Sequence, residues 1–156
     1  MTSPFIEAQV AFDMFDARLD QLRRIVEEFP EDKLWQRPRA DMVSLGNLVC
    51  HVAGSMRAWL ENGLGGGDWQ RNRDKEFGRQ EGPDRRGLLE HLNQTRRHCD
   101  TFLSQVDGNV WEQPRQFRGK TFTVREVIFH QVEHIAYHAG QAAFLRRIVA
   151  DLPAAP

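Results

Sequence analysis

Between His130 and Gln141 the chain reads HQVEHIAYHAGQ, with three histidines at successive intervals of four. On a helix, residues four apart share a face and are offset by about 6 Å, so two imidazoles at that spacing can lean onto one ion. Three in a row span about 12 Å, too far for one small cation, so at most two act together. The inward stripe is expected to be Val127, Gln131, His134, His138, Gln141, Leu145 and Ile148, which selects His134 and His138 and leaves His130 on the flank. Two imidazoles on an interior stripe are costly unless something binds their lone pairs, and a metal ion does so. A catalytic site of this type commonly has three protein ligands and one position for water or substrate. His51, in NLVCHVAGSMRAWL, is the remaining histidine best placed to look inward. His91 and His98 lie among charged residues and are expected in solvent. Ile135 follows His134 where HExxH would have Glu, so a zincin protease lacks its base.

Gln131 and Gln141 on the stripe, and Asn47 one turn from His51, are candidates to orient imidazoles or bind substrate. Arg71, Arg73, Asp74 and Glu76 are candidates to close a pocket or bind an acidic group. The alternatives are polar residues at a bundle end and a solvated charged loop. Trp59 and Tyr137 are expected to pack, and Arg146 and Arg147 to meet a helix C-terminus. No side chain stands out as a general base.

These residues need helices to position them. Phe12, Phe15, Leu19, Leu22, Val26 and Phe29 mark a first helix starting near Ser3 and Pro4 and stopping at Pro30. Ser44 caps a second, from Leu45 to about Asn62. Residues 63–83, rich in glycine and charge, read as a long loop without a regular element, docked by Trp69 and Phe77 as a lid or pocket wall. A third helix is expected from about Asp84 to Val106, and a fourth from the T-x-x-E box of Thr123 and Glu126 to about Val149. QFRGKTFT before it suits a tiny hairpin around Gly119. The expected fold is all-α, a four-helix bundle whose long loop between helices two and three permits a crossover.

The 156 residues suit a single domain, 1–156. A net charge of -1 argues against nucleic acid and anionic lipid as partners. The N-terminus lacks a signal peptide's pattern, and no apolar run spans a bilayer, so a soluble, cytoplasmic protein is expected. Cys50 and Cys99 form no CxxC and are expected as buried thiols.

Three blocks, SLGNLVCHVAGSMR at Ser44–Arg57, WQRNRDKEF at Trp69–Phe77 and TVREVIFHQVEHIAYHAGQAAFL at Thr123–Leu145, together resemble the DinB/YfiT-like family of metalloenzymes over nearly the whole chain. The resemblance implies a four-helix bundle, often a homodimer, with a three-histidine divalent site mapping onto His51, His134 and His138. The ion expected on three imidazoles is zinc or nickel foremost, with iron or manganese as alternatives, and the resemblance adds a low-molecular-weight thiol as a further cofactor. The function expected is a metal-dependent thiol S-transferase or hydrolase acting on a small molecule. The alternative is a noncatalytic, stress-related bundle with a structural or vestigial metal site.

Overall fold

The structure, a computed structural model, describes residues 4–153. Pro4 opens α1 (Pro4–Glu28), where its missing N–H costs nothing; Ser3 lies outside the described residues. Phe15, Leu19, Leu22 and Val26 are fully buried along its inner face, and Phe12 is half-buried beside them. The chain then makes a short 3₁₀ turn, Glu31–Lys33, whose buried Lys33 Nζ donates to the carbonyls of Val149 (2.7 Å), Ala150 (3.2 Å) and Leu152 (2.5 Å). Lys33 thus occupies the role expected of Arg146 and Arg147. Helical side chains lean toward the N-terminus, so a helix's own last-turn residues point away from its final carbonyls, and Arg146 pairs with Glu28 instead. Lys33→Met is expected to cost about 2 kcal/mol in urea denaturation, since three carbonyls lose a charged donor.

Ser44 caps α2 (Leu45–Arg57) reciprocally: its hydroxyl accepts from Asn47 N, and Asn47 Oδ1 accepts from Ser44 N. The helix continues as a π-helical segment, Ala58–Leu64. Within the stretch expected to lack regular structure lies α3 (Arg73–Gly78). Six residues are too few for a hydrophobic period; Asn72 caps this helix by accepting from Lys75 N, and buried Glu76 anchors it. Trp69 and Phe77 are half-buried, as docking requires. Asp84 caps α4 (Arg85–Leu103), which buries Leu88, Leu92, Thr95, Cys99 and Leu103.

β1 (Pro114–Phe117) and β2 (Lys120–Thr123) form an antiparallel hairpin with Phe117 opposite Lys120. Both turn residues are left-handed, Arg118 at φ 52° and Gly119 at φ 71°, as a two-residue type I′ connection requires. Arginine is strained there. Arg118→Asn is expected to raise stability by about 0.5–1 kcal/mol, read as a higher melting temperature.

The capping box of Thr123 and Glu126 starts α5 (Val124–Ala150) where expected. Its buried face is centred on Val124, Ile128, Gln131, Ile135, His138, Ala142, Leu145 and Val149, at alternating fours and threes, with Val127, Val132 and Ala139 buried beside them. The expected stripe shares Val127, Gln131, His138 and Leu145 with this buried face but is rotated from its centre. His134 and Ile148 are consequently half-buried, and Gln141 is exposed.

Helices α1, α2, α4 and α5 form the four-helix bundle. α1 packs on α5 and α4, and α2 packs on α4 and α5, so α1 and α2 stand at opposite corners, as do α4 and α5. The topology is not simple up-and-down, but the diagonal connections are those before α2 and before α5. The 65–84 stretch joins neighbours. Among the described residues, no helix is long and apolar enough to cross a membrane.

Candidate metal centre

α2 and α5 bring His51, His134 and His138 together. His134 Nε2 lies 3.2 Å from His51 Nε2 and 3.2 Å from His138 Nε2. Two nitrogens bound to one ion at about 2.05 Å and a tetrahedral angle stand about 3.3 Å apart. The opposite ring atoms fix the tautomers. His51 Nδ1 is 3.0 Å from Glu76 Oε2, and His138 Nδ1 is 2.7 Å from Gln141 Oε1. An Arg71 Nη also lies 3.0 Å from His51 Nδ1, but its hydrogens are taken up by Glu76 Oε2 and the His51 carbonyl, whereas Glu76 and Gln141 Oε1 can only accept. With those bonds made, each Nδ1 carries the ring proton and each Nε2 presents a lone pair. These lone pairs converge on His134 Nε2, where one ring hydrogen could satisfy only one of them well. His134 Nδ1 is itself buried without a partner. The set could hold one metal ion.

His51 is held from behind. Arg71 donates from Nε to Glu76 Oε1 (2.7 Å), and from one Nη to Glu76 Oε2 (2.8 Å) and the His51 carbonyl (3.1 Å). Burial would raise the Glu76 carboxyl, but hydrogen bonds from His51 and Arg71 more than offset it and leave it below the usual carboxylate range. The carboxylate fits because α2 carries Gly54 there: a Cβ at that position would meet Glu76 Oε1 at 2.1 Å. A mid-helix glycine three residues after His51 was a readable signal for this contact, and sequence reasoning passed over it. Asn47 does not reach the imidazoles by hydrogen bonds. Its amide donates to the carbonyls of Glu76 (3.0 Å) and Arg79 (2.9 Å), so it holds α3 in place.

Phe77 lies against His51 with ring centroids 4.5 Å apart, and the Arg73 guanidinium sits 5.5 Å from the Phe77 ring. His130 stays outside the triad, its ring tilted against Trp59 with centroids 4.2 Å apart. Burial, followed by neighbouring imidazoles, pushes His134 down to about 3; burial, with His51 and Arg71 nearby, pushes His138 down to about 4 despite the Gln141 bond. Both rings are therefore neutral when folded, while the unfolded chain takes up those protons near the ordinary value of 6.5. Stability from this source is complete above about pH 6.5 and lost as pH falls toward the folded values. The metal-free protein should melt at steadily lower temperature from about pH 7 to pH 5. A His134→Gln/His138→Gln variant should show a flatter dependence.

A family model described as mycothiol-S-transferase matches residues 10–151. The chain belongs to that family. Solved structures with the same fold include a DinB-like protein from Bacillus cereus (14% identity, TM-score 0.72, 94% of each chain covered). A conserved protein from Enterococcus faecalis also matches (14% identity, TM-score 0.69, 91% of this chain and 96% of that one). So does a DinB-like protein from Bacillus subtilis (18% identity, TM-score 0.67, 92% and 94%). No curated protein matches the chain.

Elsewhere in this mycothiol-S-transferase family member, several residues depart from expectation. Gln131 is fully buried but only loosely paired, 3.5 Å from Ser55 Oγ, and its Oε1 has no partner. Exposed Gln141 nevertheless reaches His138, because residues three apart share a helical face. Tyr137 is 63% exposed rather than packed, since it projects from α5 away from the seam. Cys99 is buried, with its thiol pushed up to about 12 by burial, whereas Cys50 is only half-buried, at the edge of a cavity between α2 and α4. His98 is exposed and bonds Glu61, and His91 is exposed at the same cavity.

Proposed function

We propose that this chain is a metal-dependent enzyme acting on a small molecule, a thiol S-transferase foremost and otherwise a hydrolase, with one divalent ion held by His51, His134 and His138. The convergence of three Nε2 atoms, two of them on rings held from behind at Nδ1, carries the reading. Zinc or nickel suits three neutral imidazoles, and iron or manganese is compatible with them. Such an ion, when bound with an open position, lowers the pKa of a coordinated thiol or water and supplies a nucleophile at neutral pH. The chain's own residues orient and enclose: Glu76 and Arg71 fix His51, Gln141 fixes His138, and Phe77 shields the His51 ring from water. Arg73, above Phe77, is placed to meet an acidic group on the substrate.

Metal-loaded protein should catalyse conjugation of mycothiol or a related low-molecular-weight thiol to members of an electrophile panel, with activity abolished by His138→Ala. Absence of turnover with every thiol and electrophile would contradict the transferase reading. The chain is proposed to work as one domain, 1–156, in the cytoplasm. A homodimer is favoured by the apolar residues left outside on the paired helices α1 and α5: Phe5, Ile6, Val10 and Met14 on α1, Tyr137 and Phe144 on α5. Light scattering at a monomer's mass would contradict it.

A further inference from the structure

Behind the Glu76 carboxylate, away from the histidines, lies a cavity of about 350 Å³. One turn and more of α2 (Cys50, Ala53, Gly54, Arg57) forms its floor, His91 and Thr95 of α4 one wall, and residues between Trp69 and Arg79 the other. These α2 residues lie on a different face from His51 and Ser55, which meet α5, so the cavity and the triad flank Glu76 from two sides.

The polar lining is unbalanced. Glu76, the carboxylate of the cavity wall, has its oxygens engaged by Arg71 and His51. Arg57 is neutralised by Glu61 at 2.6 Å and lies over Trp69, 4.6 Å from the ring centroid. The side chains of Lys75 and Arg79 have no ion-pair partner among the described residues, leaving their two positive charges as the surplus. The cavity thus offers charged donors, a thiol, an apolar floor and an indole, with no free carboxylate. A small organic anion complements this set, its acidic group on Lys75 and Arg79 and its body against Ala53 and Trp69.

We infer that this cavity is a second binding site, distinct from the histidine centre, for a small organic anion bearing a carboxylate or phosphate group. The inference does not depend on the triad holding a metal. Calorimetric titration of the full-length protein with succinate and, separately, with phenyl phosphate tests it and separates carboxylate from phosphate ligands. One or both should bind saturably. Arg79→Gln and Lys75→Gln should each weaken binding about tenfold, the loss of one charge-assisted contact. The exposed α1 variant Arg24→Gln, as a control for general charge, and His134→Ala, as a control for the triad, should leave it unchanged. Circular dichroism verifies the fold of each variant. Three results would each overturn the inference: no saturable binding of either anion, equal weakening by Arg24→Gln, or loss of binding in His134→Ala with Arg79→Gln unaffected.

Discussion

Replacing His134 with alanine is expected to lower divalent-metal affinity by more than about a hundredfold while leaving the bundle folded. Loss of a supporting residue around a metal typically costs 10- to 100-fold, and loss of a ligand costs more. His134 is the informative choice because its Nε2 is the atom toward which the other two converge. Its side chain is half-buried, and its Nδ1 holds no partner that truncation would strand. The fold should therefore survive, as circular dichroism can verify, while calorimetric titration with zinc reads the loss. His130→Ala, one turn away and packed against Trp59, should change affinity by less than about threefold, because a span of about 12 Å keeps it from an ion held by His138. Comparable losses in both variants would mean that the helix binds metal as a loose histidine-rich surface.

The largest effect on stability is expected from Glu76→Ala, about 3 kcal/mol in urea denaturation. One carboxylate serves Arg71 through two bonds and His51 through a third, at a site where both acidic and basic side chains are about 10% exposed. Removing one member of a buried pair leaves the other charge unpaired, which costs more than the pair itself contributes. Glu76→Gln retains an acceptor and should be milder, yet it weakens the hold on the His51 tautomer and should reduce metal affinity about 10- to 100-fold. Gly54→Ala reaches the same carboxylate by steric means, since its Cβ would overlap Glu76 Oε1. It should reproduce the affinity loss of Glu76→Gln although alanine favours the helix. If Glu76→Ala unfolds within about 0.5 kcal/mol of the wild type, the Arg71–Glu76–His51 arrangement is not what holds this corner together.

The parts legible in the sequence were those written in short-range chemistry. The reciprocal caps at Ser44 and Thr123, the stop before Pro30, the glycine-centred hairpin and the apolar stripe of α1 depend on residues a few positions apart. The histidine spacing was local too: it limited the set to two rings of α5, the stripe chose His134 and His138, and His51 came from its place on the second helix. Long-range partners were less visible. The stripe on α5 was read rotated because two templates share the buried Val127, Gln131, His138 and Leu145, and only packing against α1 and α2 distinguishes them. The helix α3 was missed because six residues carry no period, and its anchor Glu76 looked like one of many loop charges until Arg71 and His51 closed around it. Lys33 capping the end of α5, more than a hundred residues away, left no local mark. The diagonal placement of α1 and α2 is likewise a property of packed helices that loop length does not encode.

The central claim is that one divalent ion sits among three specified nitrogens, and anomalous diffraction from crystals of the zinc-loaded protein tests it most directly. One strong peak about 2.0–2.1 Å from Nε2 of His51, His134 and His138, with no contact to His130, is the predicted result. A peak ligated through His130 or the cysteines, or no peak at the triad in fully loaded protein, would contradict the account.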